Sequence, residues 1–388
     1  MKGLTLIVPL VTYPYLIKVL GSEKYGLIMW AWSIVNFFII FINFGFDLSV
    51  TKYISINKGN KTKISEIVFT TLAAKTILFF ISLIIFLFLI NFTPNIKENK
   101  KLFLYTYCLA IGETIMPIWF FQGIEQMKYT AIITSFVKIG FTILVFLLIK
   151  KSNDYLKVPL LYALSSIISA LFAYYLILFK YRIKFLFPKL SNILFYFKDS
   201  FALFLSSSIS IVKESVTIIF IEKYIGLSFV AYFDIAQKFV NILLTPFHIL
   251  STVIFPYMSK AKNFVLLKKV IVFSTIISII IYILIFIFSK NIVFFLVGNI
   301  NTLVENILRI LAFSIIFANI ASLLGTNGLV VIGKNKKLFL SSLYGILVYF
   351  FILIIISNFF HITIELVTIF VVISYFIDML FRIYYLKR

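Results

Sequence analysis

The sequence predicts an all-α polytopic membrane protein with twelve transmembrane helices in two six-helix lobes. Three observations predict it. The chain is 62% hydrophobic and only 13% charged, its mean hydropathy is +1.10, and apolar windows of spanning length recur from end to end. A soluble domain averages about 45–50% apolar and about 25% charged, so this chain could not hide its apolar surface from water by folding on itself. The 47 Phe and 22 Tyr suit lipid-facing surfaces and interfacial belts.

A bilayer core of about 30 Å needs about 20 apolar residues per helix, and windows of that kind number twelve. The first six run over residues 4–20, 27–50, 67–92, 102–122, 130–149 and 158–179. The other six run over residues 200–221, 229–256, 270–289, 303–324, 338–357 and 362–385. Residues 1–20 are basic and then apolar with no small-residue cleavage site after them, which reads as a retained first span. The longest polar interruption, residues 180–198, divides the chain into a lobe of residues 1–180 and a lobe of residues 181–388. A faint echo crosses it: VLGSEKYGLIMWAWSIVNF (residues 19–37) against IEKYIGLSFVAYFDIAQKFVN (residues 221–241). Six spans per half would make the lobes parallel repeats about the membrane normal.

Residues 8–52 set the plan. The first apolar segment carries Pro9 and Pro14, which predict a kinked helix. The second carries Asn36, Asn43 and Asp47 at steps of seven and four, which places them on one face of a continuous helix. Lipid would not tolerate that face, so it must look at protein or water.

Orientation follows from the basic residues. With the N-terminus inside, cytoplasmic segments hold 21 Lys and Arg and outer links hold ten, a bias that predicts both termini in the cytoplasm. The net charge of +22 therefore reflects topology and not nucleic-acid binding. The single cysteine, Cys108, lies in an apolar run, and with only His248 and His361 beside it there is no metal-ligand cluster. There is no GxxxxGK[ST] loop and no soluble domain, so energy must come from an ion gradient or from the substrate.

With Lys18 counted among the outer links and Arg382 among the cytoplasmic segments, five basic residues remain inside predicted spans: Lys75, Lys138, Lys213, Lys238 and Arg309. A charge at the bilayer centre costs about 2.5–3.5 kcal/mol on the insertion scale, so each needs a partner or water. The eighth window carries Asp234, Lys238, Asn241, Thr245 and His248 on one face, and the seventh carries Ser206, Ser210, Lys213 and Thr217 with Glu214 beside them. Thr134, Lys138 and Thr142 line the fifth; Thr71, Lys75 and Ser82 the third; Glu113, Pro117 and Gln122 the fourth. Asp234 and Lys238 either neutralise each other or face a lumen, Lys75 either snorkels or serves the site, and Arg309 either anchors at the outer face or serves it too. Glu113 is either a proton site or the partner of one of the lysines. His248 reads first as a satisfied core residue. A cavity rich in Lys and hydroxyls favours an anionic ligand with many hydrogen-bonding groups, and a lipid-linked sugar pyrophosphate has both properties.

Three stretches carry a family resemblance: residues 9–55, PLVTYPYLIKVLGSEKYGLIMWAWSIVNFFIIFINFGFDLSVTKYIS; residues 117–132, PIWFFQGIEQMKYTAI; and residues 231–260, AYFDIAQKFVNILLTPFHILSTVIFPYMSK. They resemble Wzx-type polysaccharide flippases of the MOP superfamily, which also holds MATE exporters and the lipid II flippase MurJ. The resemblance implies a MATE-like fold in the bacterial inner membrane and no enzymatic activity. It implies transport of an undecaprenyl-pyrophosphate-linked oligosaccharide, such as an O-antigen or capsule repeat unit, from the cytoplasmic to the periplasmic leaflet. Membrane lipid and other polysaccharide-assembly proteins are the expected partners.

On that reading the lobes alternate access around a cationic lumen. Lys138 and Lys213, backed by Lys75, Lys238, Arg309, Ser206, Ser210 and Asn241, are the substrate-binding candidates. Glu113, Asp47, Asp234 and Glu214 are the candidates for proton or sodium coupling, and no other cofactor is expected. The rival readings are a cation-coupled exporter of small drugs on the same fold and, behind it, a membrane glycan polymerase or glycosyltransferase. The latter needs a sizeable outer loop or a metal-binding acid pair, and the sequence offers neither.

Overall fold

The computed structural model describes residues 2–359 and 362–387, and among them all regular structure is helical. Eleven helices precede the second half: α1 (Lys2–Leu20), α2 (Ser22–Asn43), α3 (Phe46–Ile56), α4 (Lys61–Phe92), α5 (Pro94–Glu98), α6 (Lys100–Tyr107), α7 (Leu109–Ile115), α8 (Ile118–Gly123), α9 (Met127–Leu148), α10 (Lys157–Tyr175) and α11 (Leu190–Tyr224). Five follow: α12 (Leu227–Ala261), α13 (Phe264–Val297), α14 (Thr302–Leu323), α15 (Asn335–Phe359) and α16 (Ile364–Lys387). The ends of α10 and α14 widen into π-helical turns, Leu176–Lys180 and Leu324–Val330.

Among the described residues, ten helical segments are long and apolar enough to cross a membrane. The bent helix α11 makes an eleventh, and Val8–Leu20 is a shorter apolar helix in the place of the first predicted span. The chain is a multi-pass membrane protein, and the expected twelve spans are compatible with this set.

The chain forms two compact units, Met1–Val216 and Thr217–Arg388. The sequence placed its division at residues 180–181, ahead of α11, whereas the units meet inside that helix. The reason lies in contacts at the start of α11. Asn192 Nδ2 donates to Glu66 Oε1 of α4, and Ser200 and Ser49 hydroxyls meet at 2.6 Å. Helix α11 also begins at Leu190, ten residues before the predicted span, so Lys198 is helical and not part of a loop. The two echoing segments each cross a helix–helix junction, α1–α2 and α11–α12. Lys24 and Tyr25 lie in the first turn of α2, while Lys223 and Tyr224 close α11.

In the first unit, α2, α4, α7 and α10 pack around one another, with α1 and α9 alongside. Pro9 and Pro14 both sit inside the single helix α1. Two predicted spans are broken. The first break is at Phe44 and Gly45, whose φ values of 42° and 74° end α2 and start α3. A Cβ on Gly45 would stand 2.6 Å from the backbone nitrogen of Phe204, so only glycine allows α11 to come this close. Asn43 and Asp47 are therefore on different helices, and the continuous face expected for Asn36, Asn43 and Asp47 does not exist. The second break is in the fourth predicted span, which divides into α6, α7 and α8. Met116 leaves the helix with ψ 115°, as the residue before a proline prefers.

In the second unit α14 is the central helix, packed by α12, α13 and α16. Its buried residues Val304, Ile307, Leu308, Leu311, Ile315 and Ala318 recur at three- and four-residue steps. Polar ties hold it: Asn319 Nδ2 donates to Ser274 Oγ at 3.0 Å, and Asn327 Nδ2 donates to Ser251 Oγ at 2.9 Å.

Candidate functional site

Lys75 stands at the middle of the 32-residue helix α4, 2% exposed. Nothing local can satisfy an ammonium there, because the helix has used its own carbonyls. Its partner comes from the break in the fourth span. Pro117 has no N–H, so the carbonyl four residues earlier, that of Glu113, has no helical donor. Lys75 Nζ takes the vacancy and donates to Glu113 O at 2.6 Å. Lys75 is thus buried against α7 and does not snorkel.

Acidic and amide groups gather around this ammonium. The Glu113 and Asp47 carboxylates both act on it through space, and the Asn43 side chain lies near the Glu113 carboxyl. Asn43 ends α2 and Asp47 lies in the first turn of α3, so the two flank the break at Phe44–Gly45. Glu113 is half-buried and Asp47 is exposed, so the cluster is open on one side. Tyr162 of α10 lies within electrostatic range of Glu113 and is held between Trp32 and Phe141, with ring centroids 4.9 and 5.0 Å away. Gly112 fixes the spacing: any Cβ there would collide with Ser166 of α10. One cation, two carboxylates, an amide and a phenol from five helices can bind an anion, exchange a proton or do both.

The other sequence candidates fall into smaller groups. In the first unit, Lys138 is half-buried on α9, one turn from Thr142, whose hydroxyl meets that of Thr12 at 2.7 Å and joins α9 to α1. Lys213 is half-buried on α11, and Ser206 and Glu214 are exposed. The side chain of Ser210 lies outside the described residues.

In the second unit the polar face of α12 is present as predicted, on one uninterrupted helix. Lys238 Nζ and Asp234 Oδ2 form an ion pair at 2.7 Å, Gln237 Nε2 donates to Asn241 Oδ1 at 2.9 Å, and the His248 ring meets Ser322 Oγ at 3.2 Å. Arg309 is engaged as well. Its Nη2 pairs with the buried Glu305 at 2.7 Å and its Nε donates to Ser289 Oγ at 3.1 Å.

Sequence reasoning missed the most connected cation of the second unit. Arg382, counted among the cytoplasmic loop charges, lies within α16 and is mostly buried. It pairs with Asp378 at 2.7 Å, donates to Ala321 O at 2.6 Å and donates to Ser342 Oγ at 3.0 Å. The signal was an Asp followed four residues later by an Arg inside an apolar window, which marks an intrahelical pair. The same spacing joins Glu305 to Arg309.

Comparison with known proteins places this geometry. The "Putative O-antigen transporter" of Escherichia coli (strain K12) is 25% identical over 277 residues, 69% of this chain and 66% of that protein. The chain thus spans just under two-thirds of the length of that relative. Two solved structures share the fold at 18% identity. The lipid II flippase MurJ in an inward closed conformation has TM-score 0.83, over 100% of this chain and 86% of that one. An inward-facing multidrug resistance MATE transporter of the MOP superfamily has TM-score 0.70, over 98% and 97%. The family model described as "Polysaccharide biosynthesis protein" matches residues 1–262, which include all of the first unit and its Lys75 cluster, and the chain belongs to that family.

Proposed function

We propose that the protein is a flippase that carries a polyprenyl-pyrophosphate-linked oligosaccharide across the bacterial inner membrane, and not an enzyme. The observation that carries this reading is the Lys75 cluster, inside the region matched by a polysaccharide-biosynthesis family. A buried cation with acids and hydrogen-bonding groups suits a ligand that brings both phosphate and hydroxyls.

In the proposed cycle of alternating access, Lys75 attracts the pyrophosphate, and Glu113 and Asp47 exchange a proton or sodium ion as the charge arrives and leaves. Lys138 and Lys213 extend the cationic surface of the first unit toward the glycan. Lys238 and Arg309 are in direct contact with Asp234 and Glu305 at 2.7 Å, whereas the contact of Lys75 is a neutral carbonyl, so we assign Lys238 a smaller share of ligand attraction and Arg309 none. Both termini face the cytoplasm, as the basic residues suggest.

Deleting the gene in its host tests this. A flippase mutant accumulates lipid-linked oligosaccharide on the cytoplasmic leaflet and loses surface glycan. Intact glycan, with resistance to cationic drugs on overexpression, would instead identify a small-molecule exporter.

A further inference from the structure

A cavity of about 500 Å³ lies in the second unit between α13, α14 and α16. Its walls are aromatic: Tyr282, Phe286, Phe313, Phe317 and Phe376 line it, with Arg309 the charged residue among its lining. The rings form a chain, with centroids 5.3 Å apart for Tyr282–Phe313, 5.0 Å for Phe313–Phe317 and 5.1 Å for Phe317–Phe376. Phe286, Phe313 and Phe376 are 48%, 41% and 38% exposed, so the cavity opens outward.

The three helices give the cavity a direction. Phe286 is eleven residues before the end of α13, Arg309 seven after the start of α14 and Ile369 five after the start of α16, so these three share the end of the cavity nearer those termini, its shallow end. Phe317, Tyr282 and Phe376 lie further along and form the deep end. Arg309 is seven residues from the start of α14, roughly 10 Å along its axis, and the groove continues for about 12 Å to Phe317.

At the shallow end the Arg309 guanidinium lies 4.5 Å over the Phe286 ring. Glu305 and Phe286 O take its Nη2, and Ser289 takes its Nε. Among the described residues Nη1 has no hydrogen-bond partner.

We infer that this groove is a lipid site, holding one acyl chain of an anionic phospholipid along its aromatic wall with the phosphate on Arg309 Nη1. The chain chemistry follows from the walls, and the headgroup charge follows from the one guanidinium edge that faces no protein acceptor. Arginine reaches phosphate from this depth by snorkelling. The inference needs only the membrane placement of the chain and is independent of what the Lys75 cluster carries.

The test is native mass spectrometry of the delipidated protein titrated with equal amounts of phosphatidylglycerol and of the diacylglycerol of identical chains, which lacks the phosphate. One phosphatidylglycerol should be retained about tenfold more strongly, the worth of one charge-assisted hydrogen bond. Arg309→Gln should remove the preference; if that variant does not fold, Arg309→Gln with Glu305→Gln removes both charges together. Ile373→Trp should fill the groove and prevent retention with Arg309 intact. Equal retention of the two lipids, a preference that survives loss of Arg309, or displacement by an equal amount of undecaprenyl phosphate would overturn the assignment.

Discussion

Lys75 Nζ donates a 2.6 Å hydrogen bond to the main-chain oxygen of Glu113, the carbonyl that Pro117 leaves without a helical donor. A proline thus creates the acceptor, and a lysine from another helix fills it. The same bond brings the ammonium under the influence of two carboxylates. Structure and proposed function meet at this point, because removing the bond should disturb both.

Lys75→Met should leave a buried carbonyl unpaired and cost about 1–3 kcal/mol. Adding Pro117→Ala returns an N–H at that position and should recover part of the loss. Thermal unfolding in detergent would measure the coupling between the two changes. Strict additivity would mean that Lys75 does not serve the carbonyl that Pro117 orphans.

Gly45→Ala should be costly for two reasons. The residue holds φ 74°, and the new methyl would meet the backbone of α11. A loss of about 1–3 kcal/mol is expected. Gly325→Ala should be milder, because its nearest neighbours are the side-chain ends of Arg382 and Leu338. Comparing the melting temperatures of the two variants decides it.

Asp378→Asn should destabilise the second unit by roughly 3 kcal/mol, since it leaves Arg382 buried and unmatched. Asp154→Asn, in the pair with Lys157, should cost much less because that lysine is 56% exposed and the pair is screened by water. Denaturation of the two variants in the same detergent gives the comparison.

A cysteine at Asn299, between α13 and α14, should react with a membrane-impermeant maleimide in intact cells. One at Lys262, between α12 and α13, should react only after lysis. Cys108→Ala removes the native thiol first. Reaction at Lys262 in intact cells would reverse the proposed orientation.

The spans were legible because hydropathy is a sum over twenty residues and tolerates local error. The all-helical fold and the polar face of α12, Asp234 to His248, follow from that periodicity alone. The breaks were not legible as geometry, although their residues were visible. Gly45 sits between two phenylalanines, and its φ is fixed by the approach of α11, a contact some 150 residues away in sequence. The role of Lys75 was half legible. Its apolar surroundings required a partner, but a main-chain acceptor depends on which carbonyl a distant proline leaves free. Arg382 was misplaced because residues near the end of the last window resemble loop charges until helix α16 is seen to enclose them.

The most direct measurement is translocation of a polyprenyl-pyrophosphate-linked oligosaccharide in proteoliposomes, comparing wild type with Lys75→Gln at equal amounts of folded protein. Loss of the ammonium should lower the rate at least tenfold, by analogy with the loss of one charged hydrogen bond. A variant that folds, enters the vesicles and carries the lipid at the wild-type rate would contradict the assignment of the Lys75 cluster as the substrate site.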